Sequence, residues 1–290
     1  MNLSVFLCKA LNRFFPLPQH PFNLQNEGKL SYAEWQFDMG RRTIEFYLDV
    51  TDENEMFKGK KVLDIGCGAG GKTLYYASRG ADAVYGIDTV EYYEEEALKL
   101  AREKGLEHKF RFIVGDAGQM PFEEDSFDTI IMNDAMEHVD HPYEVLLECR
   151  RVLKPGGRLY INFPPYYHPY GAHLSDAIAI PWVHRFFSQK TLIQAYKDLV
   201  KGLPDGEKRI DFRISRDDRG NEYFSYINGM TVKRFEELIS RVPLAIEYYK
   251  LVPLRGVFKG FEKNPLLREY LVKMVVCILA KGDESIGGQV

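Results

Sequence analysis

The residues best suited to chemistry stand at positions 62–71, Val-Leu-Asp-Ile-Gly-Cys-Gly-Ala-Gly-Gly. An apolar run that enters a glycine-rich turn offers bare main-chain N–H groups to a ligand, because glycine has no side chain to obstruct approach. Gly66, Gly68 and Gly71 satisfy the G-x-G-x-x-G spacing of dinucleotide sites, so the turn alone admits either a dinucleotide or another nucleoside cofactor. Asp64, two positions before the first glycine, would repel a pyrophosphate and attract a cationic amino group. That favours a cofactor carrying an amino acid. Asp88 closes the next apolar run and can accept both hydroxyls of a ribose, a role common to both cofactor types. Asp116 follows Phe112-Ile113-Val114-Gly115, where a carboxylate can accept from an adenine amino group.

A second concentration lies further on. His168, His173 and His184 are three of the chain's seven histidines, and they fall in one short stretch. Such a group can supply a general base with its orienting partners. His168 and His173 are the candidate catalytic residues. Their spacing matches no metal motif, and no metal is expected. Tyr167, Tyr170 and Trp182, with Phe186, Phe187, Ile178 and Ile180 nearby, suit a pocket for an aromatic or lipid-like molecule, with core packing the competing role. Arg209–Arg219 alternates arginine with aspartate and reads as a solvated loop.

The elements that must position these residues follow from periodicity. Lys61–Ile65, Ala83–Ile87, Phe110–Val114, Thr129–Met132 and Arg158–Phe163 read as strands; Lys72–Arg79, Glu91–Lys104 and Tyr143–Val152 read as the helices between them. This is the β-α-β rhythm of a parallel sheet. It breaks after Phe163 and resumes with helix Val232–Ser240 and strands Ala245–Leu251 and Lys273–Ala280; between lies an insertion with a helix over Ser188–Val200. Residues 1–30, with Pro16, Pro18 and Pro21, read as an extended lead-in without a regular element. Ser31 and Glu34 form a capping-box pair that opens a helix.

Five motifs stand in one order along the chain: Val62 to Gly70; Gly115-Asp116-Ala117; Met120-Pro121-Phe122 with Ser126-Phe127-Asp128; Glu137-His138-Val139; and Arg151-Val152-Leu153-Lys154-Pro155-Gly156-Gly157. In these the chain resembles the class I S-adenosylmethionine-dependent methyltransferases of the ubiquinone-biosynthesis type, closely over 58–165 and in outline over 231–282. The resemblance implies an α/β fold: a Rossmann-like, doubly wound sheet of seven strands whose last strand is antiparallel, with a cap inserted after the fifth. It divides the chain into a lead-in and active-site helix (1–57), a cofactor-binding core (58–165), a substrate cap (166–230) and a completion of the core sheet (231–290). S-adenosyl-L-methionine would lie across the carboxyl ends of the first strands and leave as S-adenosyl-L-homocysteine. By motif position, Asp64 and Gly66 approach its methionine end, Asp88 the ribose, Asp116 and Ala117 the adenine, and Asn133 the region of the sulfonium. Cys67, Gly68, Thr89 and Met120 are further contacts, and His138 belongs to the cofactor-side wall. Asp134 stands where some relatives place a metal-binding carboxylate, but the accompanying acidic pair is not evident. The first helix, which offers Tyr32, Trp35, Gln36 and Arg41, closes over the active site in relatives, and this marks Tyr32 and Trp35 for substrate contact.

With 290 residues, 45% of them hydrophobic, the chain can bury a large core as one elaborated domain. A formal net charge of -4 gives no global positive field for nucleic acid, which disfavours methylation of RNA and favours a small-molecule acceptor. The four scattered cysteines suggest neither a disulfide framework nor a zinc site and fit a reducing cytoplasm. No stretch approaches the roughly 18 apolar residues of a spanning helix, and no signal peptide is read at the start. The reading is therefore a transferase of a methyl group to oxygen, nitrogen or carbon of a small molecule, monomer or homodimer left open. Its rivals are a nicotinamide-dependent oxidoreductase on the same glycine turn and a non-catalytic binding module on the same fold.

Overall fold

The structure, a computed structural model, describes residues 2–18, 20–28, 30–258, 260–261 and 264–282. Helices α1 (Leu3–Asn12), α2 (Pro21–Asn26), α3 (Tyr32–Ile44) and α4 (Glu53–Phe57) precede β1 (Lys61–Ile65). Then come α5 (Gly71–Ser78), β2 (Ala83–Asp88), α6 (Tyr93–Glu103), β3 (Phe110–Val114), β4 (Phe127–Asn133), α7 (Pro142–Val152) and β5 (Leu153–Phe163). A cap follows, with α8 (Val183–Phe186), α9 (Gln189–Val200), α10 (Gly206–Arg213) and the hairpin β6 (Ile214–Arg216) and β7 (Glu222–Phe224). Helix α11 (Val232–Ile239), β8 (Ala245–Pro253), α12 (Arg268–Leu271) and β9 (Val272–Ala280) return to the sheet.

The seven-stranded sheet has the order β3-β2-β1-β4-β5-β9-β8. The pairs among β1 to β5 are parallel, and β9 runs antiparallel to both β5 and β8. The expected α/β, Rossmann-like sheet with an antiparallel last strand is the sheet observed. Central β1 is apolar on both faces because helices cover both: Leu63 and Ile65 enter one core with Ile130, Leu159, Phe163 and Phe235, while Val62 enters the other with Ile131, Tyr160, Tyr76 and Tyr47. Strands β2 and β4 leave β1 on opposite sides, so the crevice at their carboxyl ends is the switch point where open sheets take ligands.

Three local expectations are corrected. Residues 3–12 and 21–26 are helical; Pro21 sits at the first position of α2, where its missing N–H costs nothing, and the His20 side chain caps that helix. The strand expected over Arg158–Phe163 begins at Leu153, and residues 154–157 form a bulge inside it, between the pairs Phe127↔Leu153 and Thr129↔Arg158. The stretch read as a solvated loop begins on α10, where Arg209 and Arg213 are only 2% and 3% exposed.

Both arginines converge on Asp176, whose carboxylate is fully buried; Arg209 Nη1 and Arg213 Nη2 each lie 3.1 Å from it, and the Tyr196 hydroxyl donates to it at 2.8 Å. Around this ion pair lies the third core, in which Val5 and Cys8 of α1 pack with Leu192, Tyr196 and Val200 of α9. The N-terminal helix thus belongs to the cap. Asn12 fixes it there, donating to the Ala177 carbonyl and accepting from the Ala179 N–H, each at 2.8 Å.

Candidate active site

Where β1 ends, the chain turns through Gly66, Gly68 and Gly70, at φ of 68°, 54° and 74°. The turn is held through its N–H groups: Gly66 donates to the Ile87 carbonyl at 2.9 Å and Gly68 to the Asp88 side chain, Oδ2, at 2.8 Å. Close approach explains two of the glycines. A Cβ on Gly68 would stand 2.7 Å from Gln36 Nε2, and one on Gly71 would stand 2.0 Å from the Ala33 carbonyl oxygen. Helix α3 therefore lies directly on the turn. Gln36, 2% exposed, spans it, donating to Cys67 O and accepting from the Gly71 N–H, each at 3.2 Å. The sequence gives no motif for that clamp; a glutamine on an amphipathic helix has no distinguishing spacing.

Three acids end the first three strands or follow them. Asp64 is 1% exposed; its Oδ2 accepts from the Thr73 hydroxyl at 2.6 Å and its Oδ1 has no hydrogen-bond partner. Burial raises its carboxyl to about 6, against the pull of the neighbouring Lys72. Asp88 accepts from the N–H groups of Gly68 and Val90, yet burial holds its carboxyl above the usual range. Each of its oxygens keeps a further lone pair for a ligand. Asp116 is exposed and accepts from the Gly118 N–H at 2.8 Å, beside buried Ala117; Thr89 is exposed next to Asp88. A buried carboxylate oxygen without a partner, then two acids in succession along the same edge, fits a ligand with a cationic head, a diol and a base.

Two expected contacts have their side chains elsewhere. Asn133 Oδ1 accepts from the Tyr47 hydroxyl at 2.6 Å and from Asn162 Nδ2 at 2.8 Å, so only its main chain faces the turn, where its carbonyl meets Lys72 Nζ at 3.3 Å. Cys67 packs its sulfur against β2, 2.7 Å from where a Cβ on Gly86 would lie.

Next to the turn opens a cavity of about 330 Å³, walled by α2 and α3 on one side and the cap on the other. Tyr32, His138, His168, Tyr170 and His173 are among its walls, together with Phe22, Tyr93, Phe212, Arg213 and Tyr226, which the sequence did not single out. Trp35 stacks on Tyr32 but is not itself a wall. Tyr167 and Trp182 also stand outside it: the Trp182 indole donates to the Tyr167 carbonyl at 3.0 Å, and Tyr167 stacks on Tyr270.

The histidines differ in what they present. His168 Nδ1 accepts from the Tyr170 N–H at 3.1 Å, so its neutral ring carries hydrogen on Nε2 and offers a donor. Burial lowers it to about 4. His138 is the reverse: Nδ1 pairs with the Tyr226 carbonyl at 2.5 Å and must donate, leaving Nε2 a bare lone pair. Burial lowers His138 and, further, His173 below the usual imidazole range. Glu137, 3% exposed, has neither carboxylate oxygen hydrogen-bonded, and burial with nearby Asp134 raises its carboxyl well above the usual range.

Residues 63–161 match the family described as a methyltransferase domain. The chain is 36% identical over 144 residues to tocopherol O-methyltransferase of Arabidopsis thaliana, covering 50% of this chain and 40% of that protein. It is 35% identical over 137 residues to the ubiquinone biosynthesis O-methyltransferase of Roseobacter denitrificans, covering 47% of this chain and 52% of the relative. The chain thus spans about half, or less, of the length of these relatives. Geranyl diphosphate methyltransferase, solved in complex with S-adenosylmethionine, shares the fold at a TM-score of 0.53 and 16% identity, over 86% of this chain and 90% of that one. Residues 63–161 are thus a methyltransferase domain, carried on a Rossmann-like sheet.

Proposed function

We propose that the chain transfers a methyl group from S-adenosyl-L-methionine to a small acceptor bound in the aromatic cavity. The observation that carries this is a shared wall: the Tyr32 hydroxyl lies 3.3 Å from where a Cβ on Gly68 would stand, and the same residue lines the cavity. A group held by the glycine turn and one held in the cavity are therefore neighbours. Asp64 would take the cationic amino group, Asp88 the ribose diol, and Asp116 with Ala117 the adenine. Gly66 and Gly68 would serve through their close backbone, and Cys67 and Asn133 through their main chains. Thr89 and His138 complete the rim. When bound, the cofactor supplies an electrophilic methyl on a sulfonium.

The protein's own part is alignment and desolvation. Helix α3 seals the turn through Gln36, and Tyr32, Tyr93, Tyr170, Phe212 and Tyr226 supply an aromatic wall that suits an aromatic or lipid-like acceptor. The atom modified would be oxygen or carbon, the atoms that the tocopherol and ubiquinone O-methyltransferases and the sterol 24-C-methyltransferases it resembles are named for. His168 would donate a hydrogen bond to the acceptor, and the group Glu137, His138 and His173 would receive its proton. The setting we propose is the cytoplasm, in keeping with four buried, unpaired cysteines; among the described residues no helix is long and apolar enough to cross a membrane.

A screen with methyl-labelled cofactor across phenols, carboxylic acids, amines and prenylated rings, with Asp64→Ala as control, tests the reading. Transfer to at least one class, lost in the variant, is expected. Cofactor binding without transfer to any class would leave a binding module; failure to bind the cofactor would overturn the reading.

A further inference from the structure

The walls of the aromatic cavity are uneven in charge. Among the described residues that line it there is no aspartate or glutamate, and only Arg213 carries a permanent charge. Other polar walls offer hydrogen-bond donors. His20 Nδ1 accepts from the Phe22 N–H at 3.3 Å, so its neutral ring, like that of His168, carries its proton on Nε2. Burial lowers His20 to about 4, with Asp176, Arg213 and Arg209 all near enough to act on it. The Ser175 hydroxyl stands among the same walls.

Arg213 is fixed on α10 with one nitrogen left over. Its side chain is 3% exposed; Nε donates to the His173 carbonyl at 3.4 Å, and Nη2 donates to Asp176 Oδ1 at 3.1 Å. The ring centroids of Phe22, Tyr196, Phe212 and Tyr226 lie 5.2 to 5.5 Å from the central carbon of the guanidinium. Nη1 has no hydrogen-bond partner. Asp176 gives Oδ2 to Arg209 and Tyr196 and Oδ1 to Arg213, so its charge is shared between two guanidinium groups. A buried cation with an unpaired nitrogen is a costly arrangement, and an oxyanion from outside relieves it. Phe22 also spaces this cation from the cofactor side: its ring lies 6.3 Å from Tyr32, the wall shared with the glycine turn. In sequence Arg213 falls in the stretch read as a solvated loop, so nothing there marked it as a cavity wall.

We propose that the cavity takes a carboxylate-bearing aromatic acceptor, anchored through its carboxylate at Arg213 with the Nε2–H of His20 as a second donor. The atom to be methylated then stands at the other end of the ring, towards Tyr32 and the glycine turn, and the carboxylate itself is left unmodified. One free guanidinium nitrogen beside neutral donors matches a single negative charge, and a phosphate ester would need more. The two ends of the site have opposite polarity: acids at the turn for a cationic cofactor, and a cation at the cap for an anionic acceptor. The role given to the far end of the ring rests on the methyltransferase reading; the carboxylate site does not.

The test titrates the full chain calorimetrically, with and without S-adenosyl-L-homocysteine, with 4-hydroxyphenylacetate, 4-hydroxyphenylpropanoate and 4-hydroxycinnamate, each beside its primary amide. At least one acid is expected to bind ~10-fold or more tightly than its amide. Arg213→Gln should abolish that preference, and Arg213→Lys, which keeps a charge beside Asp176, should restore part of it. Because Arg213→Gln also disturbs the pair with Asp176, the acid-against-amide contrast in wild type is a test that needs no variant. No binding of any acid, equal binding of acid and amide by wild type, or an unchanged preference in folded Arg213→Gln overturns the anion site. Phenyl phosphate bound ~10-fold more tightly than every acid overturns the carboxylate class. Cofactor affinity is measured on the same samples: a chain that prefers acids but binds no cofactor overturns the methyltransferase reading and leaves the anion site standing.

Discussion

The edge of the sheet and the cap meet at one cavity but are built by different means. At the edge, the site is made of main chain and of acids set by short local motifs: N–H groups of a turn, an aspartate at the end of each of two strands, and one just past a third. In the cap it is made of side chains drawn together over distance: Asp176 between Arg209 and Arg213, His173 against Glu137, and rings from α2, α10 and the segment after β7. A site of turn and local acids tolerates change in most neighbouring side chains, provided the glycines and acids stay. A side-chain site depends on a network in which each member is held by the others. The first suits a constant cofactor, and the second an acceptor that varies between relatives.

The sharpest way to break this contrast is Asp176→Ala, which leaves buried Arg213 without its carboxylate and Arg209 with Asp205 alone; loss of one partner of such a pair costs about 3–5 kcal/mol. Hydrogen exchange should accelerate across Gln189–Val200 and Gly206–Arg213 while β1 to β5 stay protected. Equal loss in the sheet would show that the two regions unfold as one unit. Gly71→Ala strikes the other region, driving a methyl into the Ala33 carbonyl; a cost of about 1–3 kcal/mol is expected. Calorimetry should show at least ~10-fold weaker cofactor binding, with cap exchange unchanged. Asp88→Asn keeps the shape but removes the charged acceptor from the Gly68 N–H, and about 10-fold weaker cofactor binding is expected, from roughly 1–3 kcal/mol.

The smallest effect is a proton. Burial raises Asp64 to about 6 from its usual 3.8, so the folded chain holds that proton more tightly than the unfolded chain. The associated stability is present below about pH 4 and lost as pH rises through about 6. A cationic amino group placed against Asp64 would lower its carboxyl again. Cofactor binding at pH 6 should then release a fraction of one proton per chain, and at pH 8 none, read by calorimetry in buffers of different ionisation enthalpy. Asp64→Asn should abolish the release.

The strands and their acids were legible because period and motif coincide: Lys61–Ile65 leads straight to a glycine turn, and Asp88 and Asp116 each follow an apolar run. The cap was not. Pro16, Pro18 and Pro21 read as breakers, yet Pro21 opens a helix at the one position that tolerates it. Arg209 and Arg213 read as solvated because their partner, Asp176, lies more than thirty positions away. Tyr167 and Trp182 were drawn to the site by composition, but their hydrogen bond to each other serves the base of the cap. Gln36 was noted on the first helix, but its clamp was silent because nothing local marks a residue whose partners are two backbone groups of a turn it has yet to meet.

The docking of α1 on the cap also orders events during synthesis. Lys9 and Asp198, 2.7 Å apart, are separated by 189 positions, and Asn12 meets Ala179 across 167. The first helix leaves the ribosome long before its partner surface exists, while the parallel strands β1 to β5 can already pair. Contacts of such long separation close late and slowly. The helix is thus a clasp fastened only when the cap is complete, and a nascent chain stalled before α9 carries it with Val5 and Cys8 still uncovered.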